Sequence, residues 1–214
     1  MKAAKSTVLI TAFGVRRLTC TTSRRAALLT VAGLLAACAA PGAGSEWITL
    51  IDGDRGLADW NRTGDGNWRA VDGAIQIDGK TNKDAAFLYS KSSFIDFEMV
   101  VEYWADEPAN SGVFFRITNT TTINTKGGYE VQIFDTNPPY PTGSLVNVKQ
   151  APPDFKAAHR WNTFVIRAKG PRLTVDMNGR RAVEADDRTF PSGPIGLQYN
   201  SGTVKFRKVM IRPL

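Results

Sequence analysis

The chain has 214 residues and a formal charge of +7, from 27 basic and 20 acidic residues with one histidine. Six of the basic residues (Lys2, Lys5, Arg16, Arg17, Arg24 and Arg25) lie in residues 1–37, which hold no acid, so from Cys38 onward 21 basic residues face 20 acidic ones. The high charge describes a leader and gives no ground for nucleic-acid binding. One histidine and two cysteines exclude a histidine-rich zinc site, a cysteine metal cluster and a disulfide framework.

Ser23-Arg24-Arg25 precedes an apolar run over residues 26–37, too short to span a bilayer and of the length of a signal-peptide core. The run ends in Leu35-Ala36-Ala37-Cys38, which resembles the bacterial lipobox. The arginine pair resembles a twin-Arg signal in which Ala27 replaces the usual Phe. Residues 1–37 are therefore expected to be a cleaved signal peptide of lipoprotein type, with Cys38 lipidated. The alternative is a plain secretory signal with Cys38 incidental. Residues 38–45, small with Gly and Pro, read as a flexible tether, and residues 46–214 as a single domain. The location this implies is the bacterial cell envelope, anchored at the outer membrane and facing the periplasm, with the protein a monomer.

From Trp47 the pattern is strand after short strand. Residues 47–51 come first, followed by an irregular part around Leu57-Ala58-Asp59-Trp60. Residues 68–71 and 74–77 flank Asp72-Gly73, a two-residue hairpin signal. A short strand at 86–89 precedes the longest one, 94–104, whose Phe97, Met99, Val101 and Tyr103 share one face. Glu98, Val100 and Glu102 share the other. A central pair at 110–117 and 128–135 leads into a long Pro-rich loop over 137–158, a length that is usually functional or mobile. Strands at 161–167 and 172–177, a turn at Asn178-Gly179, and strands at 180–184, 193–199 and 204–212 complete the chain. The parity shift between Phe206 and Val209 predicts a bulge near Arg207 or Lys208. No helix longer than a turn or two is expected. The pattern implies an all-β fold, an antiparallel sandwich of two sheets, and a jelly roll is the form in which a polar and aromatic outer face holds oligosaccharides.

The central pair carries the candidate site. Alternation puts Val113, Phe115 and Ile117 on one face and Phe114 and Arg116 on the other. In the second strand Tyr129, Val131 and Ile133 oppose Glu130, Gln132 and Phe134. If the apolar triplets face a core, Arg116 and Glu130 look into a shared outer hollow with two rings beside them. The bland alternative is a solvated cross-strand ion pair worth at most about 1 kcal/mol.

Asn110-Ser111-Gly112 with Phe115-Arg116, Gly128 through Ile133 with Asp135, Thr142-Gly143, Trp161-Asn162-Thr163, Asn178-Gly179, Gly193 through Gln198, and Phe206-Arg207 through Leu214 occur in that order. The ordered set resembles the bacterial 3-keto-disaccharide hydrolase family. The resemblance implies a concanavalin A-like jelly roll, a fold shared with legume lectins and several glucanases, and exported carbohydrate chemistry. It departs at Leu197-Gln198-Tyr199-Asn200-Ser201-Gly202, where many members continue Leu-Gln with Asp-His-Gly.

Two chemistries suit these residues. Retaining hydrolysis needs two carboxyl groups about 5–5.5 Å apart. Glu130 and Asp135 stand five residues apart, on the order of 16 Å along an extended strand, so they fit it poorly. Elimination from a sugar oxidised at C3 needs one base and a donor over the developing enolate. Glu130 is the candidate base, with Arg116 and Gln132 holding the oxygen and Asp135 as a further catalytic candidate. Asn110, Phe114, Phe134, Glu98, Gln198 and Trp104 are candidate substrate-binding residues, and Glu102 shares the face of Glu98. Of Trp60, Trp68 and Trp104, all of a kind to stack on sugar, two read better as core or rim packing, and His159 reads as a surface histidine. No cofactor is called for; Asp52, Asp54 and Asp59 leave a structural calcium open beside ordinary turn chemistry. The leading reading is a glycoside-cleaving enzyme acting on 3-keto disaccharides or glycosides. The runners-up are a non-catalytic, lectin-like carbohydrate-binding lipoprotein using the same groove, and a scaffold that binds no sugar.

Overall fold

Alternating burial is what assembles the domain. In a computed structural model that describes residues 45–214, thirteen strands and one three-residue 3-10 helix account for the regular elements of that region. The leader at 1–37, Cys38 and all of the tether except Ser45 lie outside the described residues.

The strands are β1 (Ile48–Asp52), β2 (Trp60–Thr63), β3 (Arg69–Val71), β4 (Ala74–Ile77), β5 (Ala86–Phe94), β6 (Phe97–Ala105) and β7 (Asn110–Phe115). They continue with β8 (Tyr129–Ile133), β9 (Trp161–Lys169), β10 (Arg172–Met177), β11 (Arg180–Asp186), β12 (Gly193–Ser201) and β13 (Val204–Pro213). Eight form one sheet in the order β11-β10-β9-β6-β13-β4-β3, with β1 also on β13. Five form the other, in the order β2-β5-β12-β7-β8. Every pairing between strands is antiparallel.

The two-residue turns fold as their chemistry requires. Asp72 and Gly73 have φ of 49° and 70°, and Asn178 and Gly179 have 52° and 80°, the positive pair of a type I′ hairpin. The register between β13 and β6 slips between Phe206 and Lys208, the bulge that the parity shift predicted. Two segments exceed the sequence reading. β5 runs on through Ser90 to Phe94, and Trp60–Thr63 is a strand at the sheet edge, its apolar signal limited to Trp60.

Between the sheets, Phe97, Met99, Val101 and Tyr103 of β6 pack in one cluster with Val113 and Phe115 of β7 and Val131 and Ile133 of β8. Phe97 and Phe115 meet edge-on across the interface with ring centroids 5.7 Å apart. Trp60 and Trp68 belong to this core. The free edge of β8 is covered by the Pro-rich loop. Gln132 N donates to Ser144 O, Gly143 N to Gln132 O and Val146 N to Glu130 O, which removes an unpaired edge.

Candidate functional site

The register of the five-stranded sheet defines its outer face row by row. Thr63, Phe87, Gln198, Gly112 and Gln132 stand opposite one another from β2 to β8, and Asn61, Tyr89, Gly196, Phe114 and Glu130 form the next row. Asn110 and Asn200 share this face by alternation. Glu130, Gln132, Gln198, Asn110 and Phe114, all singled out from the sequence, therefore occupy one surface.

Gly112 is the centre of that surface. A Cβ there would lie 2.5 Å from Glu130 Oε1 and 3.0 Å from Glu130 Cγ, so the carboxyl lies across the position where a side chain would stand. Gln132 and Gln198 flank the glycine on either side. The Oε1 atoms of both are buried without a hydrogen-bond partner. Glu130 itself is 5% exposed and has no hydrogen-bond or ion-pair partner for its carboxyl among the described residues. Desolvation pushes its pKa up to about 8, so it carries a proton at neutral pH. Three polar side chains with unmet hydrogen-bonding capacity thus converge over one glycine, whereas most buried polar atoms in folded proteins find a partner.

Beside them lies a small apolar cluster of Phe87, Phe114, Ile117 and Ile123, with Phe87 and Phe114 edge-on at 5.3 Å. Ile117 was expected in the core and Arg116 on the outer face; the structure exchanges them. Arg116 has φ of 52°, a left-handed conformation that breaks the period of two immediately after β7. Ile117 is carried onto the outer cluster, and Ile117 N donates to Pro194 O.

Arg116 is consequently not a neighbour of Glu130, and the shared hollow expected of the two does not exist. Its guanidinium, in a residue 1% exposed, donates through Nε and Nη2 to Ile95 O at 2.9 and 2.7 Å, through Nη1 to Gly170 O at 2.9 Å and Phe190 O at 3.3 Å, and through Nη2 to Asp96 at 3.2 Å. These partners belong to the β5–β6 connection, the β9–β10 turn and the segment before β12, so Arg116 clamps both sheets at one end of the sandwich. Burial lowers its pKa, while Asp96 works to hold the charge.

Other expectations are corrected in the same way. Asp135 accepts from Ala157 N, Ala158 N at 3.0 Å and Thr142 Oγ1 at 2.5 Å, which fastens the Pro-rich loop and leaves it no catalytic geometry beside Glu130. Phe134 lies past the end of β8, its N bonded to Thr142 Oγ1, and so does not extend the Glu130 face. Phe114 is on the right face but buried against Phe87, so it offers no open stacking platform. Glu98 and Trp104 are on β6 in the eight-stranded sheet, away from the site. Glu98 pairs with Arg167 and Arg212, Glu102 pairs with Arg207 and Lys208, and Lys205 Nζ lies 5.3 Å from the Trp104 ring. Exposed His159 packs edge-on to Trp104, and Asp52 bonds Arg55. Among the described residues no group of three or more His, Cys, Asp or Glu is gathered as metal ligands would be. The role of Gly112 was missed from sequence, although a glycine inside an otherwise apolar strand signals a close approach.

Two antiparallel sheets with a polar row across the smaller one define a lectin-like jelly-roll sandwich. The chain belongs to the family of 3-keto-alpha-glucoside-1,2-lyase-like domains, which it matches over residues 46–212. No curated protein matches the sequence. Among solved structures it is similar to a protein of Parabacteroides distasonis provisionally assigned as a glycosyl hydrolase, with 23% identity and a TM-score of 0.65 over 79% of this chain and 100% of that one. It is also similar to the carbohydrate-binding module CBM66 of Bacillus subtilis, with 18% identity and a TM-score of 0.51 over 79% and 97%. A third neighbour is the lumenal domain of VIP36 bound to calcium and Man3GlcNAc, with 13% identity and a TM-score of 0.56 over 78% and 88%. At these identities the likeness is one of fold, and family membership gives the chain the general character of a carbohydrate-acting domain.

Proposed function

We propose that the domain cleaves glycosidic bonds in sugars oxidised at C3, by elimination, with Glu130 as the proton-transferring group. The observation that carries this reading is the unpaired, buried Glu130 carboxyl lying over Gly112 between two glutamines with unmet oxygens. A ketone at C3 acidifies the C2 hydrogen. Glu130, in its ionised form, takes that proton while the electron pair forms the enolate. The enolate then collapses to a C1–C2 double bond as the C1–O bond breaks, and the departing oxygen receives the proton from Glu130. Atoms and electrons balance without an oxidant, and a carboxyl titrating near 8 is suited to both transfers. The amide groups of Gln132 and Gln198 stand where they can donate to the enolate oxygen or accept from sugar hydroxyls. Standard two-carboxylate hydrolysis is disfavoured because Asp135 is held by the loop backbone.

The test is turnover. Purified protein incubated with a 3-keto disaccharide should release monosaccharide, and Glu130→Gln should lose nearly all of that release. Undiminished turnover in Glu130→Gln would falsify the assignment. A lectin-like role on the same face is the second reading, supported by the deep burial of Glu130. It expects sugar binding to persist with no release by the parent protein. Attachment through lipidated Cys38 at the outer membrane, facing the periplasm, belongs to this proposal as well. Metabolic labelling with a fatty-acid analogue that survives in Cys38→Ala would remove it.

A further inference from the structure

The outer face of the five-stranded sheet holds a second feature beyond Glu130. At the β2–β5 edge lies a cavity of about 480 Å³, with Phe87 and Ile123 as apolar lining and Thr63, Asn82, Asp84 and Thr122 among its polar residues. It opens on the same row that crosses Gln198 and Gly112 to reach Gln132. From Phe87 on β5 to Gly112 on β7 is two strand spacings, about 10 Å. That exceeds the width of the reacting ring, so a group in the cavity belongs to a unit linked to it.

The wall over β5 is held in place. Lys80 Nζ donates to Lys83 O at 2.7 Å, Asp84 O at 2.9 Å and Asn200 Oδ1 at 3.2 Å, which occupies all three of its protons and ties the 80–84 loop to β12. Asp65 accepts from both Thr81 N and Thr81 Oγ1, fastening the same loop a second time. The floor is equally fixed, since Phe87 packs edge-on against Phe114. Lys80 is thus a positioning residue, and it has no proton left for an anionic ligand.

We infer that this cavity is a binding subsite for an uncharged pyranose unit linked to the ring that reacts at Glu130. The inference rests on the reading of Glu130 as the reacting centre. Ala85 and the small exposed edges of Phe87 and Ile123 give the C–H face of a sugar a narrow apolar strip, and a rim of hydroxyl, amide and carboxylate groups suits its hydroxyls. Asp84 lines the cavity and no Lys or Arg side chain does, while the Lys80 ammonium in the wall spends its protons on Lys83 O, Asp84 O and Asn200 Oδ1, so a uronic acid or a sugar phosphate would find no free cationic donor there. What the cavity adds is the place of the second unit: a neutral disaccharide or longer chain would occupy it, and a simple alkyl glycoside leaves it unused.

The experiment is ¹⁵N-detected titration of the protein with methyl glucoside, maltose, cellobiose, trehalose and a disaccharide ending in glucuronic acid, none of which carries the reactive ketone. Parallel titrations use Thr122→Trp, which fills the cavity from an exposed loop, and Asp84→Asn. At least one neutral disaccharide should shift the amides of residues 82–87 and 121–123 as well as those of Gln132 and Gln198. Methyl glucoside should shift only the latter group. Thr122→Trp should weaken disaccharide binding about tenfold or more without changing methyl glucoside binding. The glucuronide should bind more weakly than its neutral counterpart, and Asp84→Asn should narrow that gap. Equal affinity for all lengths, or no response at residues 82–87, would overturn the subsite while leaving the Glu130 reading intact. Cavity shifts in a protein that never releases sugar from a 3-keto disaccharide would keep the subsite and remove the reaction. Silence from every sugar at both places would remove both.

Discussion

Glu98 and Glu130 occupy equivalent places on the outer faces of the two sheets, and they meet opposite fates. Each stands within a strand and each is almost covered, at 6% and 5% exposure. Glu98 is bracketed by Arg167 and by Arg212, the latter at 3.0 Å. Glu130 has no such neighbour, and burial alone shifts its titration to about 8. The eight-stranded sheet therefore uses its acids to organise a charged surface, whereas the five-stranded sheet leaves one acid unmatched over a glycine. An unmatched buried carboxyl disfavours folding, and such groups gather at functional positions. The contrast teaches where to look: a glutamate with its partners is architecture, and one without them is a candidate for chemistry.

The comparison breaks most decisively at Glu130. Glu130→Gln should reduce release from a 3-keto disaccharide by about a hundredfold to ten-thousandfold, measured as initial rate. In the parent the same rate should rise with pH and level off above about 8, because the ionised form is the base. Stability should move the other way. The folded pKa lies above that of a solvent-exposed glutamate, so the penalty is absent below about pH 4.5 and grows until about 8, reaching on the order of 5 kcal/mol. Denaturant titrations at pH 5 and pH 9 should show Glu130→Gln gaining on the parent at the higher pH only.

Arg116→Ala should come next, losing about 3–5 kcal/mol because the carbonyls of Ile95, Gly170 and Phe190 lose their buried donor. A urea midpoint unchanged from the parent would contradict the clamp. Gly112→Ala sharpens the contrast further. Its Cβ displaces the flexible end of Glu130, so the fold should survive within about 1–2 kcal/mol, while turnover drops about tenfold. Glu98→Gln should have the smallest effect. Arg167 and Arg212 are partly exposed and regain water, so stability should fall by about 1 kcal/mol and the rate should not change.

Much of the architecture was readable because alternation and turn chemistry are local. The faces of β6 and β8, the hairpin at Asp72-Gly73 and the bulge in β13 all follow from nearest-neighbour patterns. β2 was not readable because Asn61, Arg62 and Thr63 make an edge strand with little apolar signal. Glu130 and Gln132 emerged together because the strand period carried them to one face; Gln198, on another strand, joins them only through the sheet register. Arg116 did not follow that rule, since its backbone dihedral is set by a clamp to residues distant in sequence. Asp135 looked like half of a catalytic pair for a related reason: its partners Ala157 and Ala158 lie across a loop whose course no spacing reveals. The cavity at β2–β5 combines residues from three separate segments, and only the folded chain brings them together.

The reversed backbone at position 116 links two properties of the molecule that are usually adjustable apart. One side of that kink secures the end of the two-sheet stack, and the other seats an isoleucine beside Phe87 and Phe114. Any engineering that hardens the protein against heat through this corner will also shift the rings beside Ile117, and any redesign around Ile117 will register as a change in melting behaviour.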